Sequence, residues 1–195
     1  MEQQQQKWAN TLPWAVMAVA VLTACVGSVY AELVPASTTP LLVGILLACS
    51  LPQLLGGVIL FQRGEILAGS LAGLLGTVVT LGAALTLWQQ LGAAEPGAIT
   101  PEVMGVYWIV LFVFAEVFAI GLGRASWLIM VGIGEAGVAF LFLGINALSA
   151  SRPTALIAGY LLVVFSAFCI YVSSAMVLGE HFQRPVLPLG RPIFK

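Results

Sequence analysis

Two carboxylates stand where water should be absent: Glu116 within Phe114-Ala115-Glu116-Val117-Phe118, and Glu135 within Ile133-Gly134-Glu135-Ala136-Gly137. An ionisable side chain in an apolar phase is costly, so each is a functional hypothesis by default. Glu116 lies seven residues before Gly123 and Glu135 nine after Ser126. At the helical rise those offsets are about 10 and 13 Å from a shared tight turn, which puts the pair at similar depth on adjacent antiparallel helices. If they face each other or a common cavity, burial and mutual repulsion favour taking up a proton, and both are candidates for proton coupling. The alternative is structural: each is protonated or hydrogen-bonded to a neighbouring helix, cementing the bundle or an oligomer. Gln53 sits midway along the second apolar run beside Pro52, whose ring leaves a backbone carbonyl without its helical partner. Its amide both donates and accepts, which suits a carboxylate in transit and equally suits a bond between two helices.

Other chemistries lack their residues. His181 is the only histidine and lies beyond the last apolar run, which argues against a multi-histidine metal enzyme. Cys25, Cys49 and Cys169 sit inside apolar runs without CxxC or Cys/His spacing and read as small packing residues, not as a disulfide frame or a zinc site. There is no Ser/His/Asp set and no phosphate loop, so neither an enzyme nor a bound cofactor or metal is expected. The net charge of -1 supplies no basic footprint for nucleic acid. Asn146, near a helix end, reads as a cap.

The elements that must position these groups are membrane spans. Of 195 residues, 61% are hydrophobic and 8% charged, against about 25% charged in an ordinary soluble domain. Crossing hydrocarbon takes about 20 mostly apolar residues whose backbone groups are satisfied within the segment. Six stretches qualify, near Pro13 to Ala31, Pro40 to Phe61, Ile66 to Trp88, Met104 to Leu122, Trp127 to Leu148 and Thr154 to Leu178. The chain is thus expected to be all-α, an integral membrane bundle of six transmembrane helices over 13–178, with cytoplasmic tails 1–12 and 179–195. Lys7, Arg63, Arg124, Arg184, Arg191 and Lys195 fall on one side and only Arg152 on the other, which puts both termini in the cytoplasm. Leu22-Thr23-Ala24-Cys25 also looks like a lipoprotein cleavage box, but cleavage would leave five spans and upset that bias. In the third span Ala68, Ala72 and Gly76, with Gly69 and Gly73, form a small-residue face for close helix contacts and an oligomer.

Three stretches resemble a known family. Glu180-His181-Phe182-Gln183-Arg184-Pro185-Val186-Leu187-Pro188-Leu189-Gly190 resembles its NExFGRxVLPxG tail without a gap, preceded by Ala158-Gly159-Tyr160 and Ile170-Tyr171 of an aromatic-bearing last helix. Gln53, Gly57, Arg63-Gly64 and Gly76 fall where the family writes AQ, AG, a basic residue before GN, and YG. Asn10 and Pro13 keep two positions of its NPAPLGL signature. On these residues the chain resembles the acetate uptake transporter family, the succinate-acetate permease type, as a divergent member. The resemblance implies a six-helix protomer assembled as a hexamer in a plasma or inner membrane, passing acetate and related carboxylates, often with a proton. It implies a distant likeness to urea channels. It also implies a hydrophobic constriction of Phe, Leu and Tyr, whose Phe and Tyr positions become Val19 and Leu75 here, and a carboxylate-binding glutamine at Gln53.

The expected function is a transporter or channel for a small solute, with acetate or another short monocarboxylate first. An anion is costly in a dry constriction and the neutral acid is cheap, so an intramembrane proton acceptor suits that cargo. The alternatives are a passive channel for urea or an amide, and a non-transporting membrane protein that keeps the scaffold as an interaction partner.

Overall fold

A computed structural model describes residues 8–93 and 101–194. Lys7, Lys195 and Pro96 therefore lie outside the described residues, with the parts of the charge count that rest on them. Among the described residues, six helices are long and apolar enough to span a bilayer: α1 (Leu12–Tyr30), α2 (Thr39–Gln62), α3 (Ile66–Leu91), α4 (Glu102–Leu122), α5 (Trp127–Ser149) and α6 (Arg152–Phe182). The expected spans coincide with them to within a few residues. The largest difference is at the end of α6, which continues four residues past Leu178 to Phe182.

Local chemistry sets the boundaries. Pro13, Pro40 and Pro153 occupy the first turns of α1, α2 and α6, where a missing N–H costs no helical bond. The Ser126 hydroxyl caps α5, accepting from the backbone N–H of Leu128 at 3.1 Å and Ile129 at 3.3 Å. Ala150 and Gln183 end α5 and α6 in the left-handed region, at φ 48° and 53°. A 3-10 turn, Ala36–Thr38, leads into α2. Within α3 the segment Leu75–Leu81 is π-helical, a widened turn between two α-helical stretches.

The helices form a closed ring in the order α3, α2, α1, α6, α5, α4. The most extensive pairings are α4 with α5 and α1 with α6, and α3 meets α4 more lightly. Small residues let the backbones close up. A Cβ on Gly27 of α1 would lie 2.8 Å from the Gly159 carbonyl of α6, so only glycine fits there. Hydroxyls then tie helices together: Ser166 donates to the Ala20 carbonyl and Ser173 to that of Pro13, both at 2.8 Å, and Thr11 donates to that of Gly56 at 3.0 Å. Tyr107 of α4 donates to the Val78 carbonyl inside the π segment and closes the ring at α3.

The two ends of the bundle differ. At one, Glu32 after α1 holds Arg152 at the start of α6 in a bidentate pair of 2.7 and 2.9 Å. The opposite end carries Arg63, Arg124, Arg184 and Arg191. Arg63 bonds the Trp8 carbonyl there and pairs with Glu65 at 2.7 Å. The chain after α6 returns to this end and clasps the α4–α5 turn. Trp127 N–H donates to the Arg191 carbonyl at 3.0 Å and Ile193 N–H to that of Gly123 at 2.9 Å. Ser126 donates to the Leu189 carbonyl, and Tyr171 to that of Pro188 at 2.7 Å.

Candidate solute pathway

The site grows from one amide. Gln53 has no exposed surface although it lies mid-helix in α2, because α3 presses directly on it. That approach needs Gly76: a Cβ there would stand 2.7 Å from the Leu54 nitrogen and 2.9 Å from the Gln53 Cβ. The Gln53 Nε2 donates to the Cys49 carbonyl at 2.8 Å and to the Thr80 hydroxyl oxygen at 3.2 Å. Thr80, on the π segment opposite, is 1% exposed and donates back to the Gln53 Oε1 at 3.4 Å. A π turn in an α-helix commonly marks a functional site, and here it carries Thr80 to the amide.

Above this pair opens a cavity of about 620 Å³, walled by all six helices. Its mouth lies at the Arg152 end, where Glu32, Ala36, Pro101 and Ala150 form the rim. It descends past Thr86, Trp108, Leu143 and Leu162 and stops midway along the helices at Val19, Gln53, Leu75, Phe140 and Phe165. Below that level the arginine-rich half is tightly packed, Ala15, Leu60 and Ala72 forming one core cluster and Ala20, Ala136 and Cys169 part of another. No Lys, Arg or His lines the cavity among the described residues, and Glu32 is its one carboxylate. The arrangement is a vestibule: an ion-paired carboxylate at the mouth, sparsely polar walls, and a floor that is apolar apart from one satisfied amide.

Val19, Gln53 and Leu75 thus meet on one cavity. Glu116 and Glu135 do not line it. The Glu116 carboxylate lies in the α4–α5 seam, where a Cβ on Gly137 would touch its Oε1 at 2.5 Å and one on Gly134 would lie 3.6 Å from its Oε2. Residue 135 is two positions from Gly137, about 200° around α5, so Glu135 leaves the helix on the other flank, within electrostatic range of Cys169 on α6. The two acids share a depth but not a space. Each has an Oε1 that is buried without a hydrogen-bond partner.

The remaining predicted residues build the scaffold. The Asn10 side chain accepts from Leu12 N–H at 3.0 Å at the start of α1. Arg184 N–H closes the end of α6 on the Gly179 carbonyl at 3.2 Å. Leu187, Pro188 and Gly190 belong to the returning tail, and Gly190, at φ 86°, lies flat against the Trp127 indole. Cys25, Cys49 and Cys169 are free thiols among apolar neighbours. Asn146 differs from its reading as a cap: its backbone carbonyl closes the end of α5, while the residue lines the cavity. Sequence reasoning missed Thr80, Phe140 and Phe165, which carry no local signal that sets them apart from other threonines and phenylalanines in apolar runs.

The model of the GPR1/FUN34/yaaH family matches residues 1–190. Among solved structures, one described as the structure of the bacterial acetate channel SatP superposes with a TM-score of 0.84 at 21% identity, covering 94% of this chain and 100% of that one. No curated protein matches the chain.

Proposed function

Because the chain belongs to the GPR1/FUN34/yaaH family, we propose that it is a channel or transporter for a small solute, with acetate or another short monocarboxylate as its cargo. The observation that carries this reading is the vestibule, which is walled by all six helices and ends on a mid-membrane floor drawn from five of them. The similarly folded protein is named an acetate channel, which supports the choice of cargo. We assign the chain no catalytic activity. Its arginine-rich end faces the cytoplasm in this reading, so the vestibule opens outward from a plasma or inner membrane. In this reading the protomer assembles as a homo-oligomer, the hexamer that the family resemblance implies.

The wall chemistry favours a neutral species. Among the described residues the vestibule wall holds no Lys, Arg or His, and its one carboxylate, Glu32, is paired with Arg152, so an anion meets no unpaired counter-charge along it. A carboxylate therefore crosses as its acid, and Glu116 and Glu135 are the candidates for handling the proton in the lower half. The same wall also suits urea or an amide, the second reading. Uptake of labelled acetate and labelled urea into proteoliposomes, measured against pH, separates them. Acetate uptake that rises with acidity is the expected result, and its pH dependence flattens in Glu116→Gln or Glu135→Gln. Unchanged pH dependence in both variants removes the proton role, urea uptake alone selects the second reading, and inertness to both solutes leaves a non-transporting scaffold.

A further inference from the structure

The vestibule floor has an asymmetry that singles out one side chain. Val19 is β-branched and stiff at χ1, so it cannot swing clear without moving α1. Gln53 is held by Cys49 and Thr80. Leu75 is half-buried and packs into the core clusters on both sides of it. Phe140 is stacked on Trp108, with ring centroids 5.4 Å apart and 28° between planes, and Trp108 is itself braced edge-on by Tyr107. Phe165 differs. It is 4% exposed and stacks on Phe168 at 5.7 Å, while Ala20 of α1 and Ala136 of α5 share its cluster. The same cluster holds the bulkier Val19, Leu75 and Ile133, so the ring is packed at rest, and the one-carbon side chains of Ala20 and Ala136 mark the sides on which a shift displaces least.

Its place along α6 completes the argument. Leu162 and Phe165 line the cavity, whereas Cys169, one turn further on the same face, does not and is 2% exposed. Cys169 stands about 6 Å nearer the arginine-rich end. The Phe165 ring therefore lies between the vestibule and the packed half. Resting on the reading of this cavity as a solute pathway, we infer that Phe165 is the movable plug of the barrier and sets the size of solute that passes.

The test uses the full chain in liposomes with Cys25→Ser and Cys49→Ser, so that Cys169 is the one remaining thiol. A small, cationic, membrane-impermeant methanethiosulfonate reagent is applied, and uptake of butyrate and acetate is compared in parallel. With Phe165 in place, Cys169 is expected to stay protected. Phe165→Ala raises its labelling rate at least tenfold and the butyrate-to-acetate uptake ratio several-fold, with Phe165→Leu between the two, so a failure of the alanine variant to fold still leaves a graded comparison. Labelling of Cys169 with Phe165 intact overturns the inference. So do continued protection in both folded variants, and a larger change of the ratio from Val19→Ala than from Phe165→Ala. Absence of uptake with Phe165 intact counts against the transport reading alone, because thiol protection reports on the plug without any transport.

Discussion

Thr80 and Gln53 satisfy each other in the wall, so a solute that uses the amide must exchange with the threonine hydroxyl. Thr80→Val keeps the shape and removes the competitor. If a net hydrogen bond of about 0.5–1.5 kcal/mol is at stake, the apparent KM for the solute falls by about twofold to tenfold, whereas Gln53→Leu raises it by a similar factor. Concentration-dependent uptake checks both signs, and a rise in both variants would mean that the pair acts as a unit. Gln53 was legible in the sequence because an amide in an apolar run is conspicuous. Thr80 was not, since a threonine in a helix commonly bonds its own backbone, as Thr77 and Thr86 do here. Glu116 and Glu135 were equally conspicuous, and their common depth followed from counting residues. Their separation by the width of α5 depends on helix rotation, which residue spacing from a turn does not report.

At the scale of elements, the six spans followed from apolar length, and proline and serine at the helix starts account for where the structure begins them. The returning tail did not, because its bonds to the α4–α5 turn use backbone groups that every residue possesses. Only Gly190, at a positive φ, ties that path to a residue type. Ser126 connects the two elements, since its hydroxyl caps α5 and donates to the Leu189 carbonyl. Ser126→Ala should cost about 1 kcal/mol for the cap alone. Together with the lost tail bond this lowers the melting temperature by several degrees. Removing residues 189–195 should also lower it, and the two changes should add to less than their sum because they share a contact. Thermal unfolding in detergent of both single variants and the double variant measures the coupling; strict additivity would show that the tail and the cap are independent.

For the molecule as a whole, the Glu32–Arg152 pair joins the loop after α1 to the start of α6 at the vestibule mouth. The hydrogen bond from Arg152 holds the Glu32 carboxyl below the usual carboxylate range. A lowered folded value means that the pair's contribution is complete above the unfolded value of about 4.3 and is lost as pH falls through the folded one. The difference in melting temperature between the wild type and Arg152→Gln is expected to be small, constant from neutral pH to about pH 5, and to vanish below. Because both groups are exposed, salt shrinks the difference as well. A difference that grows on acidification would contradict the pairing.

A vestibule that reaches mid-membrane also changes how the protein feels a membrane potential. Solution filling it extends the bath inward, so the voltage drops mainly across the packed half, and the local field there is roughly twice that of a uniform 30 Å slab. Moving one elementary charge over the full drop amounts to about 2.3 kcal/mol per 100 mV. A charged passenger would meet nearly all of that beyond Phe165, and an uncharged one none of it. The floor residues therefore stand where electrical and steric selection coincide.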